Sequence, residues 1–315
     1  MFSADDQLIE CVPNFSEGRN QATIDAIAAA IKKNAAVKLM HVDVGYDANR
    51  TVYTFAGKPA ALLEAAYQAI KTAYELIDMR KQKGEHPRMG ACDVCPLIPL
   101  QNISMDEVVE LSKQLGKRIG EAGIPVYLYE YSAATEERKN LAYLRKGEYE
   151  SIEEKIKLPQ WKPDFGPSIF NEEFGMMALG ARNFLIAYNV NLKSKDLSIA
   201  KKIAQDIRTI RSKNDGSYES NLLQHVKAIG WWMEEFQCTQ ISTNITDITA
   251  SPLIEVFDCI RKIAGNYNVE VNGSELIGLV PERALHHPTL FVPEAASYSR
   301  IDAVKPFNLQ ERVIE

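Results

Sequence analysis

The feature that most restricts how this chain folds is an order of segments that occurs twice. In each half a short apolar run is followed by a helical pattern, two strand-like runs, a second helical pattern and a closing strand. In the first half the opening run is 8–13. Asn20 is placed to cap a helix whose apolar residues Ile24, Ile27, Ala28 and Ile31 fall at i, i+3, i+4 and i+7. Strands are expected at 36–44 and 51–56, the latter rich in β-branched and aromatic residues. Pro59 then opens a helix with Leu62, Leu63, Ala66, Ile70 and Ile77 along one side, and 92–99 closes the unit. Beyond it, Ser104 and Glu107 form a capping box before a helix carrying Val108, Leu111, Leu115 and Ile119, and 124–129 reads as a further strand.

The second half repeats the scheme. It has a strand at 183–190, a helix marked by Ile199, Ile203, Ile207 and Ile210, and two strands, 226–235 and 237–245, joined by a tight turn. In the second of these Thr239, Ile241, Thr243 and Ile245 share one face. Ser251 is expected to cap a helix with Pro252 in its first turn and Gly265 past its end, before a closing strand at 276–280. Residues 146–175 break the rhythm with Pro159, Pro163, Gly166 and Pro167, and read as an inter-domain connection. The expectation is therefore an α+β chain of two domains, 1–180 and 181–315. Each repeats the β-α-β-β-α-β order of the ferredoxin-like unit, with facing sheets and a ligand groove between them. The repeat is one of architecture, without evident identity between the halves.

Composition narrows the function. A chain of 315 residues with 46% hydrophobic and 25% charged residues falls in the soluble globular range. Its net charge of -6 and the lack of a long Lys/Arg run argue against nucleic-acid binding. The N-terminus lacks the apolar core of a signal peptide and no apolar run is long enough to span a bilayer, so a cytoplasmic location is expected and no membrane partner. The five cysteines are odd in number and irregular in spacing, which is no disulfide framework. Cys92 and Cys95 lack the second pair that a structural zinc site needs, and on a strand they would face opposite ways. His286 and His287 are too few for a metal site, and no metal is expected. Trp231 and Trp232 read as core and rim.

Three polar segments can carry chemistry. In 83–90 (KGEHPRMG) two glycines and a proline define a loop, and Pro87 pushes His86 out of the helical region. A loop histidine with an ordinary pKa near 6.5 suits a general base, against the plainer reading of a surface histidine. The turn 43–51 holds Asp43, Asp47, Asn49 and Arg50; a carboxylate there can orient an imidazole and Arg50 can hold a substrate carboxylate, or the turn serves only its own backbone. The strand-to-helix turn 11–19 can offer backbone N–H groups to an anion, although an ordinary turn explains it as well.

Taken together, these segments closely resemble the glutamate formimidoyltransferase (formiminotransferase) family, including the N-terminal part of formiminotransferase-cyclodeaminase. The resemblance covers essentially the whole chain. It rests on ECVPNFSEGR (10–19), NRTVYTFA (49–56), KGEHPRMG with DVCP (83–90, 93–96), PVYLY (125–129), PDFGPS (163–168), GAR with FLIA (180–182, 184–187), AIGW (228–231) and GLVP (278–281). It implies two ferredoxin-like subdomains, a homodimer, and transfer of a formimino group from N-formimino-L-glutamate to the co-substrate tetrahydrofolate. The family's catalytic histidine matches His86 and its supporting aspartate Asp43, which would orient the ring and favour its charged form. The folate-contacting stretch matches Gly166, Pro167, Ser168, Ile169, Phe170, Asn171, Glu172, Glu173, Phe174 and Gly175. Arg50, Arg88 and Arg182 are candidates for the substrate carboxylates. The segment after Pro281 is shorter than in the family, and no cyclodeaminase region follows, so that activity is expected on a separate protein. Two alternatives stand beside this one. The same site could move a formyl group between 5-formyltetrahydrofolate and glutamate, or paired ferredoxin-like domains could form a non-enzymatic sensor, which would need no base.

Overall fold

The computed structural model describes residues 5–281 and 313–314. It divides into two compact units, Met1–Asn183 and Phe184–Glu315.

In the first unit β1 (Leu8–Cys11) and β2 (Asn14–Phe15) are two pieces of one strand. Proline has no N–H to give the ladder, so the ladder is interrupted at Pro13; Val12 N still donates to the Pro96 carbonyl at 3.2 Å, and the Pro13 carbonyl accepts from Tyr53 N at 3.1 Å. Next comes α1 (Gln21–Lys32), whose N-cap Asn20 accepts from Ala22 N and Thr23 N. It is followed by the antiparallel pair β3 (Val37–Gly45) and β4 (Arg50–Gly57), then α2 (Pro59–Leu76) and β5 (Cys92–Gln101). Both pieces of the first strand pair with β4 on one side and β5 on the other. The capping box of Ser104 and Glu107 starts α3 (Met105–Glu121), and β6 (Val126–Leu128) follows. Last in sequence, β7 (Met177–Ala181) slots between β5 and β6, parallel to both.

One face of this sheet is covered by α1, α2 and α3 around Phe15, Ile27, Tyr53, Leu62, Leu97 and Ile119. The segment expected to connect domains belongs instead to this unit and packs on the opposite face. There α4 (Leu141–Arg145) and α5 (Ile152–Lys155) bring Leu144 and Ile152, with Trp161, against Val94, Tyr127 and Ala178. Its prolines do exclude a long helix, but apolar side chains at short spacing still bury themselves: Trp161 stacks on Tyr143 with ring centroids 5.1 Å apart. The unpredicted strand β7 contains no β-branched residue, so propensity gave no sign of it.

The second unit runs β8 (Ile186–Leu192), α6 (Leu197–Lys213), α7 (Tyr218–Leu223), β9 (Val226–Met233), β10 (Cys238–Ile245), α8 (Leu253–Gly265) and β11 (Val271–Ile277). Its sheet order is β11-β8-β10-β9. In both units the first strand lies between the third and the fourth, and the second is outermost beyond the third. Alternate residues Tyr188, Val190, Ile241 and Ile245 face α6 and α8 in one core. Ser251 does not cap α8: its Oγ donates to the Leu222 carbonyl at 2.5 Å, Pro252 is the N-cap, and Gly265 is the last helical residue. A two-residue strand β12 (Val280–Pro281) pairs parallel with β13 (Val313–Ile314). His286 and His287 lie outside the described residues.

Cys92 and Cys95 both face the helix-side core, against the expectation for a regular strand, because the pairing of β2 with β5 shifts register beside them. Cys95 Sγ lies 3.5 Å from Cys11 Sγ, and all five cysteines are free thiols. Among the described residues no helix is long and apolar enough to cross a membrane, and no group of three His, Cys, Asp or Glu side chains could hold a metal ion.

Candidate active site

The face of the first sheet opposite α1, α2 and α3 collects the polar side chains of β1 to β4. Tyr53 and Phe55 point into the helix-side core, so the alternating Val52 and Thr54 point away from it. Asp43 pairs in register with Val52 and lies on that same side. Its carboxylate is buried and 3.6 Å from His41 Nε2.

The His86 loop is clamped onto this face by the turn before β4. Asn49, at φ +46°, donates to the Lys83 carbonyl at 2.9 Å and to the Gln82 side chain, and accepts from Gly18 N at 2.9 Å. Glu85 N donates to the Asp47 carbonyl at 3.1 Å. The approach is so close that a Cβ on Gly84 would sit 2.2 Å from the Ala48 carbonyl oxygen.

Arg50, the first residue of β4, organises the centre. Its Nε donates to Asn14 Oδ1 at 2.9 Å, its Nη2 to Asp93 Oδ2 at 2.6 Å, and its Nη1 lies 2.8 Å from His86 Nδ1. Asp93 is fully buried and also accepts from Arg145 Nη2 at 2.5 Å and from Met89 N at 3.0 Å. Burial alone would raise the Asp93 pKa, but Arg145 and Arg50 outweigh it and hold it down at about 2. Burial lowers Arg50 to about 10, which leaves it a cation at neutral pH.

These charges set the state of His86. Burial, then the Arg50 and Arg145 cations, push its pKa well below the usual value, so the ring is neutral at pH 7. A carboxylate does favour the imidazolium, as Asp93 does here, but burial and then the Arg50 and Arg145 cations outweigh it. Nδ1 also lies 2.8 Å from the Pro87 carbonyl. A guanidinium only donates and a carbonyl only accepts, so the two contacts belong to different tautomers. With Nδ1–H on the Pro87 carbonyl, Nε2 presents its lone pair; with Nδ1 accepting from Arg50, the proton resides on Nε2.

The stretch 166–175 is stitched to the same loop by its backbone. The Glu173 carbonyl accepts from Met79 N at 2.9 Å and the Phe174 carbonyl from Ala91 N at 2.8 Å. Gly175, at φ +81°, crosses Gly90 so closely that a Cβ would lie 2.3 Å from the Met89 carbonyl oxygen. Ile169 is 71% exposed, whereas Phe174 is fully buried and can offer a ligand only its backbone. Phe170 packs on Tyr149, and Asn171 folds back to accept from Phe174 N at 2.9 Å.

The three candidate arginines differ in how far they are committed. Arg50 is bound as above. Arg88 is paired with Glu148 at 3.0 Å and Glu150 at 2.6 Å. The Arg182 guanidinium makes one hydrogen bond among the described residues, to the Asn183 carbonyl at 2.7 Å.

Sequence reasoning missed three members of this face. Asp93 stood within the DVCP motif without a role, Arg145 carried no signal, and Glu10 was read as part of an apolar run. Glu10 points away from the core that its neighbours Ile9 and Cys11 enter, and is 4% exposed. Burial raises its pKa to about 7 against the pull of Arg182. Glu10 therefore titrates near neutrality, whereas His86 is held well below its usual range.

Comparison with known proteins identifies the family. The N-terminal subdomain of the formiminotransferase domain matches residues 8–182, and the formiminotransferase domain matches 187–315. The chain belongs to the formiminotransferase family. It is 45% identical over 98% of its length to formimidoyltransferase-cyclodeaminase of Rattus norvegicus, and spans 59% of that protein. It is 44% identical to glutamate formimidoyltransferase of Streptococcus pyogenes serotype M1, over 89% of this chain and 91% of that one. With the glutamate formimidoyltransferase of Thermoplasma acidophilum it shares 41% identity, over 98% of this chain and 97% of the other.

Proposed function

We propose that this chain transfers the formimino group of N-formimino-L-glutamate to tetrahydrofolate, giving 5-formiminotetrahydrofolate and glutamate. The reading is carried by a buried-face histidine held neutral within a chain that matches formiminotransferases from end to end. Relatives at 41–44% identity with nearly the same extent carry the name glutamate formimidoyltransferase.

In this reading N5 of tetrahydrofolate attacks the formimino carbon, and His86 Nε2 takes the N5 proton as the new C–N bond forms. The tetrahedral intermediate then breaks its bond to the glutamate nitrogen, and His86 returns the proton to that nitrogen. The step requires the tautomer with Nδ1–H on the Pro87 carbonyl. A lowered pKa suits the return step, since a weaker base gives its proton up readily. Asp43 acts from the same sheet face, through His41 or on the substrate. The stretch 166–175 receives the folate, an assignment supported by its hydrogen bonds to the His86 loop. Arg182 is the favoured partner for a substrate carboxylate, because Arg50 and Arg88 already hold carboxylates.

The ferredoxin-like reading of each unit is supported by its β-α-β-β-α-β order and strand arrangement. A functional division at 180/181 lies within a few residues of the boundary between the compact units. Family resemblance supports a homodimer in the cytoplasm, acting in histidine breakdown and one-carbon metabolism beside a separate cyclodeaminase. The test is turnover of purified protein with N-formimino-L-glutamate plus tetrahydrofolate, and with 5-formyltetrahydrofolate plus glutamate. Activity with the formimino pair alone supports the reading, activity with the formyl pair alone replaces it with the formyl alternative, and no activity with either overturns both.

A further inference from the structure

Arg50 makes one contact that works against the proton transfer assigned to His86. Its Nη1 lies 2.8 Å from His86 Nδ1 and also donates to the Pro87 carbonyl at 3.3 Å. A guanidinium has no acceptor, so at this distance Nδ1 is satisfied only by offering its lone pair. The competing bond, from a protonated Nδ1 to the Pro87 carbonyl at 2.8 Å, is neutral on both sides and turns two N–H groups on each other. A hydrogen bond from a cation is about twice as strong as a neutral one. The Pro87 carbonyl loses nothing, since Arg50 already supplies it with a donor. The free chain therefore holds His86 with its proton on Nε2, the nitrogen that has to take the N5 proton.

The means of undoing this lie beside it. Arg50 Nη2 and Arg145 Nη2 donate to the same oxygen, Asp93 Oδ2, at 2.6 and 2.5 Å, so the two guanidinium groups converge. Two cations and one carboxylate leave a positive charge next to a neutral ring. Arg145 is under-used: among the described residues it hydrogen-bonds to Asp93 alone, and its Nε is buried without a partner. Buried donors left this way are uncommon. The Arg145 side chain is 17% exposed and the His86 ring is half-buried, so an anion can reach Arg145 Nη1 from solvent. N-formimino-L-glutamate brings two carboxylates. Arg182 and Arg145 both act on the Tyr129 hydroxyl, so the face offers a cation to each. All of these groups belong to the first unit.

We propose that Arg145 is the landing point for a substrate carboxylate, and that Arg50 is a positioning residue which keeps His86 idle until that carboxylate arrives. The carboxylate bridges Arg145 Nη1 and Arg50 Nη1 and draws Arg50 from the ring. Nδ1 then takes up a proton from water and donates to the vacated Pro87 carbonyl, while Nε2 releases its proton to water. The ring stays neutral and Nε2 becomes the base. This role rests on His86 being the base of formimino transfer. It adds an order of events: the glutamate part of the donor has to be in place before tetrahydrofolate can lose its N5 proton.

The test reads the tautomer. In the full chain labelled with ¹⁵N-histidine, NMR shows which ring nitrogen of His86 carries the proton, its signals being identified by their loss in His86→Gln. Without ligand, Nε2–H should outweigh Nδ1–H by roughly 10–100-fold. Saturation with L-glutamate, the product that carries both carboxylates, should reverse the ratio, and sodium chloride at the same concentration should not. Arg145→Gln should keep the resting ratio and lose the reversal. Arg50→Lys, with no Nη1 to reach the ring, should show Nδ1–H from the start. The wild-type titration decides the matter even where a variant does not fold. A free ring already protonated on Nδ1 overturns the lock, and a ratio unmoved by glutamate that binds in calorimetry overturns the release; either leaves formimino transfer standing. A chain that neither binds glutamate nor turns over the formimino pair overturns both.

Discussion

Glu10→Gln is expected to make the first unit more stable above pH 7 and to leave it nearly unchanged near pH 4.5. The carboxyl of Glu10 rises from 4.5 to about 7 on folding because it is buried. Between those values the folded chain binds more protons at this site than the unfolded chain, so stability falls as pH rises through the window, and above it the loss is complete. At about 1.4 kcal/mol per pH unit the loss comes to about 3 kcal/mol. The glutamine keeps the shape and has nothing to ionise. Urea unfolding at several pH values gives the free energies, and 5-fluorotryptophan with ¹⁹F NMR reads the units apart, because Trp161 lies in the first and Trp231 and Trp232 in the second. The Trp161 transition should shift by about 3 kcal/mol in favour of the variant between pH 4.5 and 8, and the other two should not. Parallel pH profiles for the two proteins would refute the claim that burial governs Glu10. A variant less stable at pH 8 would show that the carboxylate is paired there.

His86→Ala should lower turnover by roughly 10²–10⁴ while folate affinity in equilibrium binding persists; near-normal turnover would remove it from the mechanism. Because the folded-state pKa of His86 is depressed, wild-type stability should begin to fall as pH drops below about 6.5, where the unfolded histidine takes up its proton. That part of the acid slope should vanish from urea titrations of His86→Gln. Asp93→Asn strands the Arg50 and Arg145 cations in the interior and should cost about 3–5 kcal/mol in denaturant unfolding. Asp43→Asn should cut turnover with little change in melting temperature; an unchanged rate would return Asp43 to the role of a structural residue.

The helices were legible where a side chain does a local job. Asn20, Ser104 and Glu107 announced α1 and α3 because capping joins residues two or three positions apart. The Pro/Gly stretch 146–175 was legible as lacking a long helix and illegible as a packed layer, since its partners Val94 and Tyr127 lie far off in sequence. His86 was found because a histidine before proline in a glycine-bounded loop is a local pattern. The charges that decide its protonation were not, because Arg50 and Arg145 reach Asp93 across 43 and 52 residues. On the second sheet the alternation of Asn189 and Asn191 with core residues was readable, but the direction of their amides depends on Trp231, about 40 residues further along the chain on the next strand in sequence.

The position of β7 bears on how the first unit is made. Its slot lies between β5 and β6, but about 50 residues separate it from β6 in the chain. At roughly 5–20 residues per second, translation leaves the nascent unit for several seconds with β5 open along one edge and β6 with no neighbour to join. Open edges of this kind are templates for pairing with another chain. A message that stops before codon 177 would therefore yield a product that holds the His86 loop but cannot close its sheet, a substrate for chaperones and proteases rather than a weakened enzyme.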